Sequence, residues 1–202
     1  MMTIENIVFD FGGVLVDWNP RYVYKKLFDD EQQMEYFLTH ICTNSWNMQQ
    51  DAGRPLAEAT KLLIKQFPQH TSLIQRYYDD WEEMLKGDIP ENSKLIKQLK
   101  DKNYRLFGLT NWSGETFPIA YAKYEFFSEF EGIVVSGDVK MIKPDKEIYL
   151  LLLERYQIKS ENSLFIDDNL HNIKTAIELG FHTIHLHDNL NLEQELKRLE
   201  IL

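Results

Sequence analysis

The chain has 202 residues, 44% hydrophobic and 13% aromatic, with 27% charged; that is enough apolar material for one packed domain, or a core carrying a small insert, and argues against a disordered chain. A formal net charge of -10 and pI near 5.1, with no Lys/Arg cluster, exclude a nucleic-acid surface, because phosphate backbones select basic faces. A small anionic ligand stays open, since a divalent cation and a few local donors can reverse the potential inside one pocket of an acidic protein.

The opening Met1 to Asn6 has no basic stretch followed by a long apolar run, and Leu150 to Leu153 is too short to span a bilayer. The expectation is a cytoplasmic protein with no membrane segment. Cys42, the single cysteine, cannot form an internal disulfide and is expected to be a small buried residue.

In chain order, Ile4 to Phe9 is a short apolar run that stops at Asp10-Phe11-Gly12-Gly13, the pattern of a buried strand ending in a glycine turn. Asp10 therefore sits at the C-terminal edge of a strand, where open α/β sheets bind ligands. From about Arg21 to about Lys86 the apolar residues recur at helical spacing, as in Leu56 to Phe67, with no strand signal. This predicts several helices, broken at Asp51 to Pro55 and near Pro68.

After Pro90 the strand and helix alternation of α/β folds begins. A helix through Leu95 and Leu99 precedes the strand Tyr104 to Thr110, and another helix is predicted from about Gly114. Gly132 to Ser136 and Ser163 to Ile166 read as buried parallel strands, each followed by a helix, His182 to Leu186 as a further strand, and Leu192 to Leu199 as a closing helix. The expected organisation is an α/β core of residues 1–16 and 88–202, with a helical domain at 17–87.

Three strand ends carry polar groups that should converge on one crevice: Asp10, then Thr110 and Asn111, then Asp167 and Asp168. Lys143-Pro144-Asp145 adds a lysine before a proline suited to the first position of a helix, which would hold the lysine extended at a helix start.

This set resembles, in order and across nearly the whole chain, the four motifs of the haloacid dehalogenase-like superfamily, and the helical insert is similar to its type 1 cap. The run Asp10 to Asp17 resembles first motifs of the subgroup containing glucose-1-phosphate phosphatases and the N-terminal phosphatase of epoxide hydrolases. The resemblance implies a doubly wound, Rossmann-like parallel sheet with a small helical cap. It also implies a magnesium-dependent phosphatase in which Asp10 becomes an aspartyl-phosphate, acting on a small phosphorylated metabolite such as a sugar 1-phosphate, as a monomer or homodimer. By the same resemblance Mg2+ is held by Asp10, the carbonyl of Gly12 and Asp168, with Asp167 and Asn172 in support. Thr110 and backbone N–H groups near Gly12 and Asn111 hold the non-bridging oxygens, and Lys143 offsets charge.

Trp46 to Arg54 falls where type 1 caps place their specificity loop, so Gln50 and Arg54 are expected to touch substrate; the competing reading is a helix-helix turn with Trp46 packed inside. Trp18, Asn19 and Trp112 either line the pocket or pack the hinge. His182, His185 and His187, with Asp188, read either as a second metal site or as partly exposed imidazoles on an outer strand.

One position departs from the family. Most of its phosphatases carry an aspartate, the general acid and base, where this chain has Gly12. Losing that group costs roughly 10²- to 10⁴-fold in rate, so the expectation is an enzyme favouring leaving groups that need little protonation, such as anomeric or phenolic oxygens. Asp17 is either a substitute acid or a hinge carboxylate. Two other functions stay open: a 2-haloacid dehalogenase, in which Asp10 attacks carbon and halide leaves without a proton, and a catalytically impaired phosphate-binding regulator.

Overall fold

The computed structural model describes residues 4–187 and 189–202. Its strands are β1 (Asn6–Phe9), β2 (Val16–Trp18), β3 (Leu85–Asp88), β4 (Arg105–Thr110), β5 (Gly132–Val135), β6 (Ser163–Asp167) and β7 (His182–His185). Five pair into one sheet, in the order β5-β4-β1-β6-β7, with every neighbour parallel. The order places β1 at the centre, between β4 and β6, so the ends of these three strands are adjacent. Parallel strands are covered on both faces, which is why they read as continuous apolar runs rather than alternating ones.

Between β2 and β3 run α1 (Arg21–Tyr24), α2 (Glu31–His40), α3 (Asn44–Asp51), α4 (Leu56–Gln66) and α5 (Thr71–Asp79). Side chains of Asp30 and Thr43 accept the N–H groups of Gln32 and Trp46, capping α2 and α3. The breaks fall at the expected places: Gly53, at φ 97°, turns the chain after α3, and Pro68 opens a short 3-10 turn. The predicted all-helical stretch ends slightly early, because Leu85 already pairs with Trp18; β2 and β3 form an antiparallel ribbon with Asp17 opposite Gly87.

The remaining helices are α6 (Pro90–Asp101), α7 (Phe117–Lys123), α8 (Ser136–Val139), α9 (Lys146–Tyr156), α10 (Leu170–Glu178) and α11 (Leu192–Arg198). Two boundaries differ from expectation. The loop after β4 is held by the Ser136 hydroxyl, which accepts the Trp112 N–H at 2.9 Å, and α7 starts only at Phe117, with Pro118 in its first turn. Pro144 is not the first residue of a helix: it follows a cis peptide bond in a turn closed by Asp145 N–H to Ile142 C=O, and α9 begins at Lys146.

One sheet face presents Ile7, Phe9, Leu106, Leu164 and Ile166 to a core that also takes in Leu95 and Leu99 of α6 and continues to Tyr24, Phe37 and Tyr77 of the helical segment. The other presents Val8, Phe107, Leu109 and Phe165 to α9 and α10. Phe11 is a core residue despite its place in the first motif: its ring stacks on Phe117 at 6.1 Å and lies against Gly108, where any Cβ would enter the ring. Among the described residues no helix is long and apolar enough to cross a membrane. Gly108→Ala is expected to destabilise the protein by about 1–3 kcal/mol through overpacking against Phe11, measured by urea denaturation.

Candidate active site

Asp10 extends the parallel pairing one step past β1, its N–H donating to Ile166 C=O at 2.9 Å, and the chain then folds back so that the N–H groups of Leu15 and Val16 reach Phe11 C=O. Gly13, at φ 73°, is required twice over: the turn needs the left-handed region, and a Cβ there would collide with the Asp168 carboxylate. The first motif and the end of β6 are thus seated directly against each other.

Lys143 enters between them. Its ammonium, 1% exposed, lies 3.1 Å from Asp10 Oδ1 and 2.7 Å from Asp167 Oδ2. Asn111 holds its backbone, donating to Lys143 C=O at 2.9 Å and accepting Lys143 N–H at 2.8 Å. Burial alone would pull the ammonium down, but Asp10 and Asp167 more than offset this and hold it above its ordinary value. Asp167 is fully occupied, since it also accepts from the Asn172 amide at 3.0 Å and the Asn169 N–H at 2.8 Å. Thr110 ends β4 completely buried, with a hydroxyl that has no partner.

Asp10, Asp167 and Asp168 each bring an oxygen within 4.8 Å of the others. Three carboxylates against one ammonium leave an excess of negative charge. Burial first, and then Asp167 and Asp168, push the Asp10 carboxyl above its usual range, with Lys143 partly offsetting them; desolvation and Asp167 likewise push Asp168 upward. A site of hard oxygen donors with uncompensated charge fits a divalent cation of the magnesium kind. Asp167 is committed to Lys143 and Asn172, so Asp10 and Asp168 are the side chains free to serve it, and Gly12 lines the same cavity.

That cavity, about 470 Å³, opens between the sheet edge and the helical segment. Trp18, Tyr78, Trp81 and Trp112 form aromatic wall, and Asn44, Asn47 and Asp51 of the α3 region add polar groups. Gln50 and Arg54 are not among its lining residues. The Arg54 guanidinium donates to Gln50 Oε1 at 2.8 Å, and the Gln50 amide donates to Trp46 C=O at 2.9 Å and to the Tyr78 hydroxyl at 2.7 Å. Tyr78 passes the chain on to Asn47 Oδ1 at 3.0 Å, and the Asn47 amide reaches Asp51 Oδ2 at 3.2 Å. Asn47 and Asp51 were legible as an i,i+4 pair on one helix face, but nothing in the spacing says that this face looks into a cavity.

The other candidates are placed as follows. Asp17 accepts the Tyr22 hydroxyl on both oxygens, at 2.9 and 2.8 Å, within the β2–β3 ribbon, and is not among the residues lining the cavity. Trp46 packs edge-on against Tyr77 at 5.1 Å. His182 bonds Glu161 C=O and His185 bonds Asp168 C=O, each at 3.0 Å, and Asp188 lies outside the described residues. Cys42 is buried, which pushes its thiol up to about 12.

A carboxylate at the central strand end, a buried lysine beside it and an acidic pair on the next strand define a class of hydrolase, and residues 7–186 match the haloacid dehalogenase-like hydrolase family. The chain belongs to that family and is an enzyme. It is 26% identical to a sesquiterpene phosphatase of Aspergillus oryzae over 98% of this chain and 97% of that one. Other curated relatives are much longer, the chain spanning 36%, 19% and 28% of three of them. A HAD-like hydrolase of Porphyromonas gingivalis superposes with a TM-score of 0.75 at 25% identity, covering 99% of this chain and 98% of that one. A HAD enzyme of Bacteroides thetaiotaomicron, crystallised with magnesium and inorganic phosphate, superposes with a TM-score of 0.71 at 21% identity, over 95% and 98%.

Two stability measurements test these electrostatics. Lys143→Met leaves two carboxylates without their counter-charge and is expected to cost about 3–5 kcal/mol in urea denaturation, less under acidic conditions that protonate Asp10. Burial pushes the Asp51 carboxyl up to about 7, Ser113 N–H lowering and Asp10 raising it further. A carboxyl raised on folding stabilises the fold while protonated, and that contribution is complete below its ordinary 3.8 and lost as pH rises through about 7. Asp51→Asn should therefore gain melting temperature relative to wild type on going from about pH 5 to about pH 8; a constant difference would contradict it.

Proposed function

We propose that the protein is a magnesium-dependent phosphomonoesterase in which Asp10 attacks phosphorus and forms an aspartyl-phosphate that water then hydrolyses. The observation that carries this reading is the pairing of Asp10 with buried Lys143 at 3.1 Å, beside an Asp168 left free by the commitment of Asp167. Lys143 orients the nucleophile and meets charge on the transferring group. The buried, unpartnered Thr110 hydroxyl and backbone N–H groups near Gly12 and Asn111 receive the non-bridging oxygens. Asp10, the Gly12 carbonyl and Asp168 are the groups that would hold Mg2+, with Asp167 and Asn172 behind them. Bound there, the ion neutralises phosphoryl charge.

Residues 1–16 and 88–202 serve as the catalytic core and 17–87 as a cap whose hinge is the β2–β3 ribbon. The cap excludes water and supplies the wall for the leaving group. That wall suits a sugar 1-phosphate, with pyranose faces against tryptophan and hydroxyls on Asn44 and Asn47. The three tryptophans and Met48 equally favour an apolar phosphate such as the terpenyl class, to which the Aspergillus oryzae relative's name refers.

Phosphate release from p-nitrophenyl phosphate, glucose 1-phosphate and a terpenyl phosphate, with magnesium and with chelator, tests the reading. Magnesium-dependent turnover is expected, with Asp10→Asn reducing it by several orders of magnitude; no phosphate release, with halide released from 2-chloropropionate, would replace it with the dehalogenase reading. Independently of activity, magnesium is expected to raise the melting temperature of the wild type but not of Asp168→Asn.

A further inference from the structure

Cleavage of a phosphate ester at Asp10 leaves an alkoxide unless a proton reaches the bridging oxygen as the bond breaks. Asp10 itself is the nucleophile, and Lys143 is buried in its ion pairs with Asp10 and Asp167. Asp168 faces the cation position. The Tyr78 hydroxyl already donates to Asn47, and burial pushes its phenol well above the ordinary value. His171, in the first turn of α10, also lines the cavity, but it is exposed and its ring makes no hydrogen bond to the described residues that would fix its direction. Gly12 contributes no side chain, and a Cβ built there meets nothing within 4 Å, so the space beside the nucleophile is open.

Asp51 remains as a titratable group of the cavity wall whose direction is fixed by a hydrogen bond. Asp51 ends α3 in the helical segment yet is fixed to the core: its C=O accepts the Ser136 hydroxyl at 2.5 Å, and the Ser113 N–H is near enough to its carboxylate to lower it. From the other side Asn47, itself oriented by Tyr78, Gln50 and Arg54, donates to Oδ2. The residue is thus anchored twice, its C=O by Ser136 of the core and its carboxylate by Asn47 of the helical segment. Buried networks of this kind fix orientation.

We propose that Asp51 is the general acid and base of this enzyme, supplied by the helical segment in place of a side chain at Gly12; this rests on the phosphatase reading above. As the Asp10–phosphorus bond forms and the phosphorus–ester oxygen bond breaks, the Asp51 proton passes to that oxygen and the alcohol departs neutral. Water then attacks phosphorus, its proton returns to Asp51, and the bond to Asp10 breaks to release orthophosphate. Proton and electron pairs balance over the cycle without a further reactant. The charged and titratable groups facing Asp51 are Asp10 from the β1 turn and the phenols of Tyr77 and Tyr78 on α5, while Lys140 packs against Gly53 two residues on. Burial raises the carboxyl to about 7, which keeps a proton available near neutrality. Alkyl esters therefore come within reach, contrary to what the missing acid at Gly12 suggests from sequence.

The test compares p-nitrophenyl phosphate with p-nitrobenzyl phosphate, which share a ring but differ in whether the leaving oxygen needs a proton. Wild-type enzyme is expected to hydrolyse both. In Asp51→Asn, kcat/KM should fall about 10²- to 10⁴-fold on the benzyl ester and about tenfold or less on the phenyl ester, and the alkaline fall in the benzyl profile should disappear. Gly12→Asp placed in Asp51→Asn should recover benzyl hydrolysis, because the open space beside Gly12 admits a new acid; far-UV circular dichroism and thermal melts confirm that both variants fold. Equal losses on the two esters, a benzyl ester refractory to wild type, or no recovery in the double variant would overturn the assignment of Asp51. Absence of phosphate release from either ester by wild type, or activity that survives Asp10→Asn, would instead overturn the phosphatase reading and this proposal with it.

Discussion

The site depends on one buried ammonium. Lys143 stands between Asp10 and Asp167, and without it the ends of β1 and β6 would bring their carboxylates together in a largely water-free edge of the sheet. Burying such charges is tolerable only when they are paired and their remaining lone pairs are satisfied. The rest of the site meets that requirement in order: Asn111 fixes the Lys143 backbone, Asn172 and Asn169 fill Asp167, and Gly13 lets Asp168 close against the first turn.

The arrangement follows from sheet order. With β1 central, its C-terminal end is flanked by those of β4 and β6, so three separate stretches of sequence deliver side chains to one crevice. Lys143 comes from a loop near the sheet edge and reaches the centre only because Asn111 ties that loop to the end of β4. Unequal commitment then differentiates the acids: Asp167 is consumed by structure, while Asp10 and Asp168 retain free oxygens.

The helical segment contributes more than a cover. A relay of hydrogen bonds runs from Arg54 through Gln50, Tyr78 and Asn47 to Asp51, so residues that look like substrate contacts in the sequence act from behind the cavity wall, and the group they orient is the one that faces it. Core and helical segment meet at Asp51 through Ser113 and Ser136.

Most of the core fold was legible because buried parallel strands leave unbroken apolar runs, and because the residues that end them, Asp10, Thr110 and the Asp167-Asp168 pair, are polar where the chain leaves the interior. The helical stretch was legible by its 3.6-residue period and its breaks at Gly53 and Pro68. Proximity across long separations was not. That Asn111 clamps Lys143, that Pro144 lies in a turn rather than a helix start, that Asp17 is taken by Tyr22, and that Asn47 and Asp51 rather than Gln50 and Arg54 line the cavity all depend on contacts between elements. The sequence by itself determined the layered α/β architecture and the chemistry available at its strand ends, since period and residue type are local properties. Only the tertiary structure decided which side chains have free lone pairs and which are spent on neighbours, because that depends on how separate elements pack, and local sequence does not encode the distance between them.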